Sequence, residues 1–197
     1  MKDRTEPVLD RELLDVEPAL RWREWMRRIE AVLFASASPV PKEDLARVVG
    51  QGASVDLLID DLAADLEGRA FEIAAVNDGW ILRTRPAYAP AIHAAAHLGA
   101  HLVDLGEFEI AVLAAIAYRQ PITRDGLKDI FGKDISRDLI GRLHDRGLIS
   151  TGPRSPRRGA PYTFVTTDQF LVAFDLESLR DLPDREMLTD AGLHPEG

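Results

Sequence analysis

No cysteine occurs anywhere in the 197 residues. That removes disulfides, thiolate nucleophiles, Cys-ligated zinc and iron–sulfur clusters together. No apolar run approaches the roughly 18 residues that a membrane span requires, so no contact with a membrane is expected. The opening stretch MKDRTEPVLDRELLDVEP mixes charges with isolated apolar residues and has no hydrophobic h-region, so it does not read as a secretory signal. A Gly-rich phosphate loop, a nucleophile elbow and a pair of carboxylates placed for acid–base work are all missing. These absences predict a cytoplasmic protein with no catalytic residues, no metal ligands and no cofactor. What is present, 46% apolar and 29% charged residues, is the composition of an ordinary soluble protein. The length suffices for one large domain or two small ones.

Charge is unevenly spread. Residues 1–118 carry a net −8, residues 119–158 a net +5, and residues 159–197 a net −6, within a total of −9. A compact basic block inside an acidic chain marks a candidate contact with a polyanion or an acidic partner. The acidic remainder works against nucleic-acid binding by the molecule as a whole.

Apolar periodicity gives the organisation. A helix is expected from about Leu20, where Trp22, Trp25, Ile29, Val32 and Leu33 recur at three- and four-residue spacing, and Pro39-Val40-Pro41 stops it. Lys42 to Val49 reads as a second helix with Gly50 as its stop, and Ser54 as the N-cap of a third carrying Leu58, Leu62 and Leu66. The period then changes to two. Phe71, Ile73 and Ala75 alternate, Asn77-Asp78-Gly79 turns the chain, and Trp80, Leu82 and Thr84 return as a β-hairpin. A helix from about Tyr88 to Leu98 follows.

The same order recurs. Phe108–Tyr118 is an apolar helix ended by Pro121, Thr123 caps a short helix through Phe131, and Ser136 caps a third with Leu139, Ile140 and Leu143. Leu148-Ile149-Ser150 and Tyr162–Thr166 are the strands of a second hairpin, and Asp168 is the expected cap of a last helix, Gln169–Phe174. At a constant offset of 82, Ala35, Pro39, Val40, Leu45, Val48 and Gly50 fall on Ala117, Pro121, Ile122, Leu127, Ile130 and Gly132, and Leu57-Leu58 on Leu139-Ile140. One supersecondary unit has been used twice. Three helices followed by a hairpin is the winged-helix order. The expected fold is therefore α+β, mainly α, with two tandem winged-helix domains, each three helices plus a β-hairpin wing. The expected divisions are a flexible arm at 1–20, domains at 21–98 and 107–183, a linker at 99–106, and a flexible acidic tail at 184–197.

The run Ile116-Ala117-Tyr118-Arg119-Gln120-Pro121-Ile122-Thr123-Arg124 resembles the signature of the bacterial segregation and condensation protein B family. So do Gly159-Ala160-Pro161, Phe164-Val165-Thr166-Thr167, Gln169-Phe170-Leu171, Phe174-Asp175-Leu176 and Ser178–Pro183, together with Ile29–Ala35 followed by Pro39-Val40. The likeness spans roughly residues 24 to 183. Departures from the family pattern fall at Phe131 and Lys133, where Arg-Gly-Val-Asp is usual, at Ala160 for an Arg, and at Val165 and Asp175 for glycines. The resemblance implies a non-enzymatic adaptor that homodimerises and binds a kleisin (ScpA-like), and through it an SMC complex, in chromosome condensation and segregation. It also implies association with the nucleoid and dimerisation through the first domain.

The candidate partner-binding residues are Tyr118, Arg119, Gln120, Arg124, Arg154, Arg157 and Arg158. Tyr118, Arg119 and Gln120 end a helix, where such side chains also serve to satisfy free carbonyls. The wing arginines Arg154, Arg157 and Arg158 reach either a partner or only solvent. Trp22, Trp25 and Met26 are candidate dimer contacts, since a small domain has limited room for so many large groups. The rival reading is a tandem winged-helix DNA-binding regulator, with at most weak, non-specific DNA contact expected. Against specific base reading, Asp138 and Asp145 accompany Arg137, Arg142, His144 and Arg146, and Asp56, Asp60, Asp61 and Asp65 line the first domain's equivalent helix. His93, His97 and His101 are spaced for a metal, but Gly99 interrupts their helix.

Overall fold

The computed structural model describes residues 9–95, 105–154 and 161–183. The chain forms two compact units, residues 1–91 and 92–197. Of the stretch expected as linker, 99–104 lie outside the described residues, as do the tail 184–197, Arg157, Arg158, Ala160, His97 and His101.

In the first unit, α1 (Pro18–Ala35) begins with proline at its first turn, where the missing N–H is no loss, and buries Met26, Ile29 and Leu33. β1 (Val40–Pro41) and α2 (Lys42–Leu45) follow. The Ser54 hydroxyl caps α3 (Val55–Asp65) by accepting from Leu57 N–H. β2 (Phe71–Val76) and β3 (Gly79–Thr84) pair antiparallel from Phe71↔Thr84 to Val76↔Gly79, and β1 adds on the other side of β3. Trp80, Leu82, Phe71 and Ile73 pack against the buried cluster of Ile29, Leu33, Leu45, Leu58 and Leu62. α4 (Ala89–Ala94) follows the hairpin.

The second unit repeats this order with α5 (Glu107–Arg119), β4 (Ile122–Thr123), α6 (Arg124–Phe131), α7 (Arg137–Asp145), β5 (Ile149–Gly152) and β6 (Thr163–Thr166). Its sheet has the same topology, β4-β6-β5 beside β1-β3-β2. A final helix, α8 (Asp168–Ala173), closes the unit, with Phe170 and Leu171 buried. The fold is α+β and mainly helical, with two small antiparallel sheets.

Several local expectations change. Val40–Pro41, expected as part of a helix stop, and Ile122–Thr123, between the expected stop at Pro121 and the expected cap, form the third strand of each sheet, too short to show alternation. Pro41 is tolerated there because β1 sits at an edge. α2 is a single turn ending at Leu45 rather than Val49. Gly50 is not a left-handed helix stop, unlike Gly132 at φ +65. Glycine is needed at 50 for another reason: a Cβ there would lie 2.5 Å from the Trp25 ring. The cap of α8 is Thr167, whose hydroxyl accepts from Phe170 N–H at 3.2 Å, not Asp168.

The repeat also slips by one residue inside the third helix. Both caps, Ser54 and Ser136, keep the offset of 82, yet α3 buries Leu58 and Leu62 where α7 buries Leu139 and Leu143. Leu57, aligned with buried Leu139, is exposed.

Much of the expected arm is also held. Residues 18–20 belong to α1. Arg11 donates to the carbonyls of Val49 (2.9 Å) and Ala46 (2.8 Å), Arg28 donates to the Asp10 carbonyl (2.7 Å), and Trp25 Nε1 donates to the Arg11 carbonyl (2.8 Å). Arginine side chains thus replace the apolar packing that periodicity would have revealed.

Candidate partner-binding surface

The basic surface of the second unit is built around the end of α5. The helix starts with half of a capping box, in which the Gly106 N–H donates to Glu109 Oε2 at 2.9 Å. Arg142 of α7 donates to the other carboxylate oxygen at 2.6 Å. The Gly106 N–H first, and then Arg142, hold the Glu109 carboxyl below the usual carboxylate range. One of the four basic side chains of α7 and its cap is thereby tied to its own unit.

At the other end of α5, three adjacent candidates take different positions. Tyr118 is half-buried and its hydroxyl donates to the Pro183 carbonyl at 2.6 Å, fastening the segment after α8 to the helix. Gln120 is half-buried across the turn. Its Oε1 accepts from Thr166 N–H at 2.7 Å, and its Nε2 donates to Thr166 Oγ1 at 3.0 Å and to the Ala117 carbonyl at 3.3 Å. The Gln120–Pro121 peptide is cis. Arg119, between the two, is exposed. Arg124 is half-buried and donates to the Ile135 carbonyl at 2.8 Å, closing the loop between α6 and α7.

In the wing, Arg154 is exposed. It stacks on the exposed Tyr162 ring, 4.9 Å from its centroid, and donates to the Tyr162 hydroxyl at 3.0 Å. Of the seven candidates, Arg119 and Arg154 therefore face solvent, while Tyr118, Gln120 and Arg124 serve the unit's internal bonding.

Departures from the family pattern find local explanations. Phe131 meets Phe108 edge-to-face at 5.3 Å, and Lys133 Nζ lies 3.8 Å over the same Phe108 ring, so two unusual residues make one cluster. Val165 leans over Gly152, where a Cβ would come within 2.8 Å of its methyl. Asp175 takes φ +57, the left-handed position after a helix that favours glycine.

In the first unit, two of the three candidate dimer contacts are half-buried and one is core. Met26 is buried. Trp22 and Trp25 meet edge-to-face at 6.3 Å and pack on the core. Trp22 Nε1 donates to Asp61 at 2.8 Å. On α1 the Met26 side chain points inward, into the core of its own unit. On α3, Asp56, Asp60, Asp61 and Asp65 are exposed.

Sequence reasoning missed Thr166 and Pro183 as partners of Gln120 and Tyr118, and Arg11 and Arg28 as clamps. All act through backbone groups or over long separations, which leave no spacing signal. Among the described residues no His, Asp and Glu side chains gather as a metal site, and no helix is long and apolar enough to cross a membrane.

These features define a duplicated helix-and-sheet protein whose solvent-facing candidates are charged surface groups rather than a gathered constellation. Residues 27–185 match the family described as segregation and condensation complex subunit ScpB, and the chain belongs to that family. It is 33% identical over 167 residues to a segregation and condensation protein B homolog of Coxiella burnetii, covering 82% of this chain and 79% of that one. It is 34% identical over 164 residues to segregation and condensation protein B of Moorella thermoacetica, covering 80% and 81%. A crystal structure of ScpB from Mycobacterium tuberculosis aligns with 78% of this chain and 96% of that one at 29% identity, with a TM-score of 0.36. Family membership rests on the sequence matches.

Proposed function

We propose that this chain is a non-enzymatic adaptor, a pair of winged helices that homodimerises through its first unit and binds a kleisin through its second, acting on an SMC complex at the nucleoid in the cytoplasm. Membership of a family of segregation and condensation complex subunits supports the setting. The observation that carries the choice of adaptor over DNA reader is electrostatic. The helix that would enter a DNA groove presents Asp56, Asp60, Asp61 and Asp65 to solvent in the first unit. In the second unit, Arg142 is engaged by Glu109 while Asp138 and Asp145 are exposed. Phosphate binding requires an array of free cations there.

The second unit offers Arg119 and Arg154 as exposed cations, and Arg157 and Arg158 follow Arg154 closely in sequence. A kleisin segment that is acidic with apolar anchors suits such a surface. The test is calorimetry of a kleisin fragment against the full chain and against two double variants, Arg119→Glu/Arg154→Glu and Arg157→Glu/Arg158→Glu. Reversed charge should weaken binding and change its salt dependence, with circular dichroism unchanged. Unchanged affinity in both would remove this surface from the reading. Sub-micromolar, sequence-selective binding of duplex DNA at physiological salt would replace the adaptor by a regulator.

A further inference from the structure

The outer side of α5 carries almost no charge. Val112, Leu113, Ile116 and Ala117 are buried, and opposite them Ile110, Ala111, Ala114, Ala115 and Tyr118 follow one another along the helix. Ile110 is 44% exposed and Ala111 is exposed, while Ala114, Ala115 and Tyr118 are half-buried. No charged residue stands between Glu109 and Arg119, although the solvent side of a surface helix is ordinarily polar. The corresponding helix of the first unit follows the ordinary pattern, with Arg23 and Arg27 exposed on α1. The chain itself is fastened at one end of the uncharged face. The Tyr118 hydroxyl donates to the Pro183 carbonyl at 2.6 Å, so residue 184 starts from there.

We propose that residues 184–191 form a helix that lies antiparallel on this outer face of α5. The sequence Asp184-Arg185-Glu186-Met187-Leu188-Thr189-Asp190-Ala191 follows a proline and has acidic residues in its first turn, the pattern of a helix start. Asp184, Met187, Leu188 and Ala191 fall at i, i+3, i+4 and i+7, so one stripe carries an acid and then apolar groups. A helix of this length spans about 12 Å, which matches the eight steps of about 1.5 Å from Tyr118 back to Ile110. Because the segment starts at Tyr118, it can follow the face only toward Ile110. That direction sets Asp184 beside exposed Arg119, Leu188 over Ala114, and Ala191 over Ala111. The alanines are small enough for two helices to approach closely. So short a helix is marginal alone in water, and burial of Met187 and Leu188 on α5 is what holds it. Arg119 is also one of the cations assigned above to the partner surface. Resting on that reading, the docked segment competes there with an acidic partner, at the high effective concentration that a covalent tether gives.

The full chain lacks cysteine, so an introduced pair of thiols reports on that pair alone. The experiment is oxidative cross-linking of the full chain carrying Ala111→Cys with Ala191→Cys. A control pair joins α6 instead, Asp129→Cys with Ala191→Cys, and a third chain adds Leu188→Asp to the first pair. Ala111 and Asp129 are exposed, so the fold should survive, with circular dichroism as the check. The expected result is a disulfide within one chain for the first pair, at least tenfold faster than in the control, and lost with Leu188→Asp. Equal rates in both pairs, or no loss with Leu188→Asp, overturn the docking. A disulfide between chains in place of one within a chain gives the face to a second copy and overturns it likewise. No disulfide in the first pair, with a kleisin fragment blocking alkylation of Ala111→Cys, gives the face to the partner and also overturns it. Calorimetry of an acidic kleisin fragment against wild type and Leu188→Asp tests the competition, with at least threefold tighter binding expected from the variant. Unchanged affinity overturns the competition. Absence of binding by both chains overturns the partner reading, and the cross-link still decides the docking.

Discussion

Gln120 and Thr166 hold each other at both ends of the glutamine amide, with Thr166 N–H donating to Oε1 at 2.7 Å and Nε2 donating to Thr166 Oγ1 at 3.0 Å. The pair joins the end of α5 to the last residue of β6, 46 positions away. A residue that looks like a contact group in sequence therefore locks the corner between helix and sheet. Removing the side chain leaves a half-buried backbone N–H and hydroxyl without these partners. Gln120→Ala should destabilise the second unit by about 1–3 kcal/mol, read as a lower urea midpoint. An unchanged midpoint would return Gln120 to the surface as a free contact group.

Glu109 should make stability depend on acid. Its folded carboxyl titrates below the ordinary value because Gly106 N–H and Arg142 favour the anion. The stabilisation is fully present above the unfolded value, about 4.3, and is lost as pH falls through the lowered folded value. Glu109→Gln should cost about 1 kcal/mol at pH 7, allowing for the half-exposed Arg142. The gap between wild type and variant should narrow steadily as pH falls below the unfolded value. A gap that does not change with pH anywhere in the acid range would mean that the charge is not its source.

Asp175 occupies a glycine position. The Leu176 N–H donates to the Leu171 carbonyl at 2.9 Å, and the Asp175 N–H to the Val172 carbonyl at 3.4 Å, the pattern of a left-handed helix end. Asp175→Gly should raise stability by about 0.5–1 kcal/mol. A destabilised variant would show that the aspartate side chain contributes more than its backbone strain costs.

Gly50 is the reverse case. Here the conformation is ordinary, but a methyl would strike the Trp25 ring at 2.5 Å and lie 3.2 Å from the Glu12 carboxylate. Gly50→Ala should cost about 1–3 kcal/mol and alter tryptophan fluorescence, since the ring must move. Native-like emission with full stability would contradict the packing described.

What the sequence determined by itself is the part governed by local chemistry. Serine and threonine caps at 54, 123 and 136, both hairpins, and the repeated element order follow from propensity, capping and apolar period, which act over a few residues. Family membership was legible for the same reason, in the run around Tyr118–Thr123. The tertiary structure alone decided which side of α1 carries free groups, because tryptophans and arginines are amphipathic and their spacing does not say which end is buried. It also decided the two-residue edge strands, the anchoring of residues 9–17, and the inward roles of Gln120, Tyr118 and Arg124. Each of these depends on a partner tens of residues away, often a backbone carbonyl or N–H, and every residue in the chain offers that same carbonyl whatever its side chain.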